Sequence, residues 1–117
     1  MNITPIMLFA ALSHETRLRC LMLLLVHAEL CVCELTYALG VAQPHVSRHL
    51  AQLRELGVVT DRRDGLWIHY RINAKLPEWA IEVLRNAQRG IADSLPYAAD
   101  RVALTAMPDR PGLPRCG

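Results

Sequence analysis

Two cysteines one residue apart, Cys31 and Cys33, stand at the centre of the stretch Glu29-Leu30-Cys31-Val32-Cys33-Glu34-Leu35. Thiolates are soft donors that suit soft, thiophilic ions. Their spacing sets a geometric condition. In a regular helix, side chains two residues apart project roughly 200° from each other, whereas in an extended segment they share a side. One ion is therefore shared by this pair only if the chain around Val32 is not helical. A position near a helix N-terminus also favours the thiolate. The competing reading makes both cysteines small buried apolar residues. Of the other two cysteines, Cys20 falls within an apolar helical pattern and reads as core. Cys116 is either a candidate third ligand or an inert thiol near the C-terminus. A closed four-ligand zinc site is not apparent.

A second group of residues suits nucleic acid. Pro44 opens a helix in which Val46, Leu50 and Leu53 form the inner face, and His45, Arg48 and Gln52 lie opposite. Gln43, His45, Ser47, Arg48 and Gln52 are candidate DNA contacts, since glutamine pairs bidentately with adenine and arginine with guanine. His49 is open between a phosphate contact and structural hydrogen bonding. Arg62 and Arg63 flank Asp64-Gly65 and are candidates for phosphate or minor-groove contact. A merely solvated polar face is the commoner meaning of such a stripe, so the surrounding elements decide.

Those elements are legible from periodicity and punctuation. Thr4-Pro5 reads as an N-cap and first helical position, with Ile6, Phe9 and Ala10 as a short apolar stripe. Ser13 is a second candidate N-cap, ahead of a helix that is apolar nearly all round and hence central. A short helix is predicted over Cys33 to Leu39, ended by Gly40, before the helix that Pro44 opens and Gly57 closes. Two helices joined by a glycine-containing turn describe a helix-turn-helix. Val58 to Arg62 and Leu66 to Ile72 read as strands around an Asp64-Gly65 turn, with Leu66, Ile68, Tyr70 and Ile72 sharing one face. The fold class expected is mainly α with a β-hairpin, a dimeric winged helix-turn-helix.

After Pro77 a last helix carries Ala80, Val83, Leu84, Ala87 and Ile91 as an apolar stripe. With the core supplied by earlier elements, this stripe and the Ile6/Phe9 helix are expected to form a dimer interface. Residues 1–95 thus read as a DNA-binding and dimerisation domain. Residues 96–117, with Pro96, Pro108, Pro111 and Pro114, read as an irregular, flexible tail.

Bulk properties narrow the classes. The 117 residues suit one domain, and Leu, Val and Ala dominate a chain with one Phe and two Trp. A net charge of +2 supplies little general attraction for DNA, so binding must come from local basic clustering. No leader pattern or spanning apolar run is present, which points to a cytoplasmic chain with reduced thiols and no membrane partner. No catalytic triad, phosphate loop or hydrolase metal motif appears, and the five histidines look scattered, so no enzyme is expected.

Leu12-Ser13-His14-Glu15-Thr16-Arg17-Leu18, the Cys31/Cys33 stretch, Gln43-Pro44-His45-Val46-Ser47-Arg48-His49-Leu50 and Gly65-Leu66-Trp67-Ile68-His69-Tyr70-Arg71 together resemble the ArsR family of metalloregulatory repressors, over roughly residues 4 to 92. Within the family, the Cys-Val-Cys motif resembles the arsenic-responsive branch. The resemblance implies a homodimeric repressor that leaves double-stranded operator DNA when trivalent arsenic or antimony binds Cys31 and Cys33, with no organic cofactor. Some members of that branch carry a third cysteine three residues after the pair, where this chain has Thr36. The alternatives kept open are a thiol redox sensor and a cadmium, lead or zinc sensor of the same fold.

Overall fold

The computed structural model describes residues 2–110. Their order is α1 (Pro5–Leu12), α2 (Glu15–Val26), β1 (Leu30–Cys31), α3 (Val32–Leu39), α4 (Gln43–Glu55), β2 (Val59–Asp64), β3 (Trp67–Ile72), α5 (Glu78–Ile91) and α6 (Tyr97–Thr105). Thr4 caps α1 as expected, its side chain accepting from the Met7 N–H at 3.1 Å. At α2 the cap is His14, not Ser13: the His14 Nδ1 accepts from the Thr16 N–H, and Ser13 closes α1 instead. An imidazole nitrogen reached the orphan donor that a hydroxyl was expected to satisfy.

Helix α2 is the central pillar. Cys20, Leu21, Leu23 and Leu24 are buried, and Leu35, Val46, Leu50 and Leu53 from α3 and α4 are buried in the same core. Gly40 ends α3 with φ 66°, a left-handed conformation that glycine adopts without steric cost. The first helix of the helix-turn-helix thus begins one residue earlier than the periodicity suggests, at Val32.

A strand not foreseen from the sequence precedes it. β1 is only two residues long, but it pairs antiparallel with β3, giving a three-stranded sheet of order β1-β3-β2. Leu30 faces Tyr70, and Cys31 faces His69. The wing turn also differs by one position. Asp64 pairs with Trp67, so Gly65 and Leu66 form the two-residue loop, with Gly65 at φ 63°. Leu66 is therefore fully exposed at the tip and leaves the face it was expected to share with Tyr70.

Helix α5 corrects part of the expected dimer surface. Ala80 and Leu84 are buried within their own chain, so α5 packs on the core with those two residues. Val83, Ala87 and Ile91 are half-buried, and Ile6 and Phe9 remain exposed.

Residues 97–105 are helical, which overturns the irregular reading for that stretch. Proline at 96 and 108 brackets α6 and does not interrupt it. Its Asp100 is buried and accepts from the Arg19 guanidinium twice, at 2.9 and 2.7 Å, while Arg19 also donates to the Leu39 carbonyl at 3.0 Å. One bidentate pair thereby ties α6 to α2 and to the end of α3. Its partners lie 81 residues apart, beyond any local pattern. Asp100→Asn leaves Arg19 without its charge partner, so unfolding stability is expected to drop by about 3 kcal/mol in urea denaturation. A wild-type midpoint would show that the pair carries no such weight.

Candidate thiol site and nucleic-acid interface

Cys31 and Cys33 meet at the junction of β1 and α3. Cys31 is the N-cap of α3, extended at φ −84° and ψ 163°, and Cys33 lies in the first helical turn. An N-cap side chain folds back over that first turn. The two sulfurs are accordingly joined as a disulfide, with the Cα atoms 5.4 Å apart. The condition that the pair not lie in one regular helix is met, but at Cys31 and not at Val32. The pair converges without any unwinding of α3.

Glu34 holds this junction. Its carboxylate is buried, its Oε1 accepts from the Cys31 N–H at 2.9 Å, and its Oε2 accepts from Arg110. Neither Glu34 nor Arg110 was singled out from the sequence. The signal for Glu34 was present, since an acid three residues after an N-cap is the second half of a capping box. Arg110 is 76 residues from its partner and had no local signal.

Beside Cys33 a cavity of about 240 Å³ is lined by Val32, Gln43, Ser47, Leu66, Trp67 and Ile68. The thiol pair therefore adjoins both the start of α4 and the root of the wing. Cys31 is fully buried and Cys33 half-buried, so reagents reach the pair through Cys33. Cys116 lies outside the described residues.

The candidate DNA contacts separate into two groups. Gln43, Arg48 and Gln52 are exposed along α4, Ser47 and His45 are half-buried, and Arg63 is exposed on β2. His49 is buried: the Arg17 guanidinium donates to its Nδ1 at 3.2 Å, which favours the structural role left open for it. Arg62 is exposed but donates to both Glu29 oxygens, at 2.8 and 2.6 Å, and so starts from an ion pair.

The histidines are not all scattered. His14, His45 and His49 each bring a ligand-type nitrogen within 4.8 Å of the others. Every Nδ1 in the group faces a donor: the Thr16 N–H on His14, Arg48 on His45, and Arg17 on His49. Guanidinium only donates, so the neutral rings carry their protons on Nε2. Metal-bound imidazoles instead direct the second N–H at an acceptor. This trio therefore ties α2 to α4 and does not present lone pairs to a cation.

A helix-turn-helix with a paired wing and a thiol pair at its root defines a winged-helix regulator. The chain belongs to the arsR family of bacterial regulatory proteins, whose description matches residues 14–61. It is 47% identical to the arsenic resistance transcriptional regulator ArsR2 of Pseudomonas putida, over 93% of each chain. It is 49% identical to the arsenical resistance operon repressor of Escherichia coli, over 73% of each. Among solved structures it resembles the AntR antimony-specific transcriptional repressor, with a TM-score of 0.64 and 31% identity over 78% of this chain and 85% of that one. The family is one of transcriptional regulators and not of enzymes, as expected from the missing catalytic motifs. Among the described residues no helix is long and apolar enough to cross a membrane.

Two predictions follow from the electrostatics. Burial pushes the Cys20 thiol up to about 12, against a lowering effect of Arg19. In reduced native protein, Cys20 should therefore resist alkylation that modifies Cys33, and peptide mapping after denaturation should find it free. Early labelling of Cys20 would contradict its burial. The second concerns His27 and His49, both held below the ordinary 6.5, chiefly by burial. Next come Arg110 for His27 and the neighbouring His14 and His45 for His49. The unfolded chain then binds more protons, so stability is complete above pH 6.5 and falls as the pH drops below it. Urea midpoints between pH 7.5 and 5.5 check the sign, and a rise toward acid would refute it.

Proposed function

We propose that this chain is an arsenite- or antimonite-responsive transcriptional repressor that binds operator DNA as a homodimer and is released when the trivalent ion binds Cys31 and Cys33. The observation that carries the proposal is the meeting of the two sulfurs at the N-cap of α3, against the start of α4 and the root of the wing. The relatives named above are regulators of arsenic resistance, and a structural relative is titled an antimony repressor.

DNA binding rests on α4 and the wing. Gln43, Ser47, Arg48 and Gln52 supply the base-reading edge, with His45 beside them and Arg62 and Arg63 near the wing tip for phosphate. A homodimer uses Ile6 and Phe9, which are exposed, with Val83, Ala87 and Ile91, which are half-buried along the edge of the chain's own core. Two-fold symmetry sets half-sites about 34 Å apart. Such a repressor works in the cytoplasm with the thiols reduced.

The response follows from geometry. An ion held by both thiolates bears on the N-cap, on the Glu34 bond to the Cys31 N–H, and on the cavity shared with Gln43 and Ser47. It favours whichever arrangement of α3 and α4 best fits the sulfur–ion–sulfur bridge, and it shifts the DNA equilibrium only by that difference in affinity. Unwinding of α3 is not required. Cys116 is a further candidate thiolate.

A second reading is redox sensing by the same pair, whose sulfurs meet at the N-cap of α3. Operator release by arsenite under full reduction separates the two. Cys31→Ser is expected to bind operator with near-wild-type affinity and to lose release by arsenite, read by fluorescence anisotropy. Normal release from that variant would remove Cys31 from the site.

A further inference from the structure

We propose that His69 serves the third position of the ion held by Cys31 and Cys33, its Nε2 accepting the hydrogen bond of the hydroxyl that arsenic keeps. The inference rests on the arsenic reading above and names a residue outside the helix-turn-helix.

Three observations support it. Cys31 and His69 are direct partners across β1 and β3. Directly opposed residues of an antiparallel pair stand on the same face, with Cβ atoms about 4.5–5.5 Å apart. Second, the His69 side chain is only 8% exposed, and its Nε2 finds no hydrogen-bond partner among the described residues. A buried polar nitrogen without a partner is costly, and it is retained where a ligand satisfies it. Third, the other ring nitrogen has a carboxylate on its side. Nδ1 faces Glu29 Oε1 at 3.9 Å, and Glu29 is itself held by three hydrogen bonds of Arg62.

The chemistry balances without a redox step. Arsenous acid carries three hydroxyls. Attack by the Cys31 and Cys33 thiols forms two sulfur–arsenic bonds and breaks two arsenic–oxygen bonds, and each departing hydroxide leaves as water with a thiol proton. One hydroxyl stays on arsenic. With Thr36 supplying no thiolate three residues after the pair, an ion held by Cys31 and Cys33 alone keeps that hydroxyl as the group left to be satisfied. The His69 lone pair accepts its proton in a hydrogen bond.

The test compares two probes on phosphine-reduced, full-length protein bound to labelled operator. Arsenite retains a hydroxyl after two thiolates bind, whereas methylarsonous acid holds a methyl group of similar size at that valence. His69→Leu should raise the half-release concentration of arsenite about tenfold, the weight of one buried hydrogen bond, and leave that of methylarsonous acid unchanged. His69→Gln, which keeps an acceptor, should recover most of the arsenite response. It also serves if the leucine variant does not fold. Equal shifts for both probes would mean that His69 only supports the fold, and no shift would remove it from the site; either result overturns the proposal. Wild-type protein released by neither arsenical would instead overturn the arsenic-responsive reading, a result distinct from failure at His69.

Discussion

The break between β1 and α3 at Cys31 is the constraint on which the rest depends. An extended residue followed at once by a helix turns one sulfur back over the first turn, and there two cysteines separated by a single residue meet. Pairing of Cys31 with His69 fixes where the strand ends, and the Glu34 carboxylate on the Cys31 N–H fixes where the helix begins.

The same junction links the site to the DNA-reading elements through short paths. Cys33 lines a cavity with Gln43 and Ser47 of α4 and with Trp67 and Ile68 of the wing. Arg19 and Asp100 hold the far end of α3 through the Leu39 carbonyl, and Arg110 holds its near end through Glu34. The histidine and arginine contacts between α2 and α4 give the recognition helix a second support that does not involve the thiols.

Much of this was legible in the sequence because it is local. Periodicity marked α2, α4 and α5, glycine marked the end of α3, and the two cysteines stood out by their spacing. The misses have a common cause. β1 is two residues long and exists only through its pairing with β3, so no window of sequence shows it. α6 was hidden by flanking prolines and is fastened by an ion pair to a residue 81 positions away. Ala80 and Leu84 belong to a stripe that a helix presents equally well to its own core or to a partner, and only packing decides between them. His69 lies in a strand whose alternation was read correctly, but its importance comes from the residue opposite, which the strand alone does not reveal.

The most direct test of the central claim is operator binding by reduced protein, followed by fluorescence anisotropy while arsenite is titrated in parallel with zinc and cadmium. The account predicts release by arsenite at concentrations near that of the protein and weak or no release by the divalent ions. Retention of DNA at every arsenite concentration would contradict it and would move the signal of the thiol pair to oxidation.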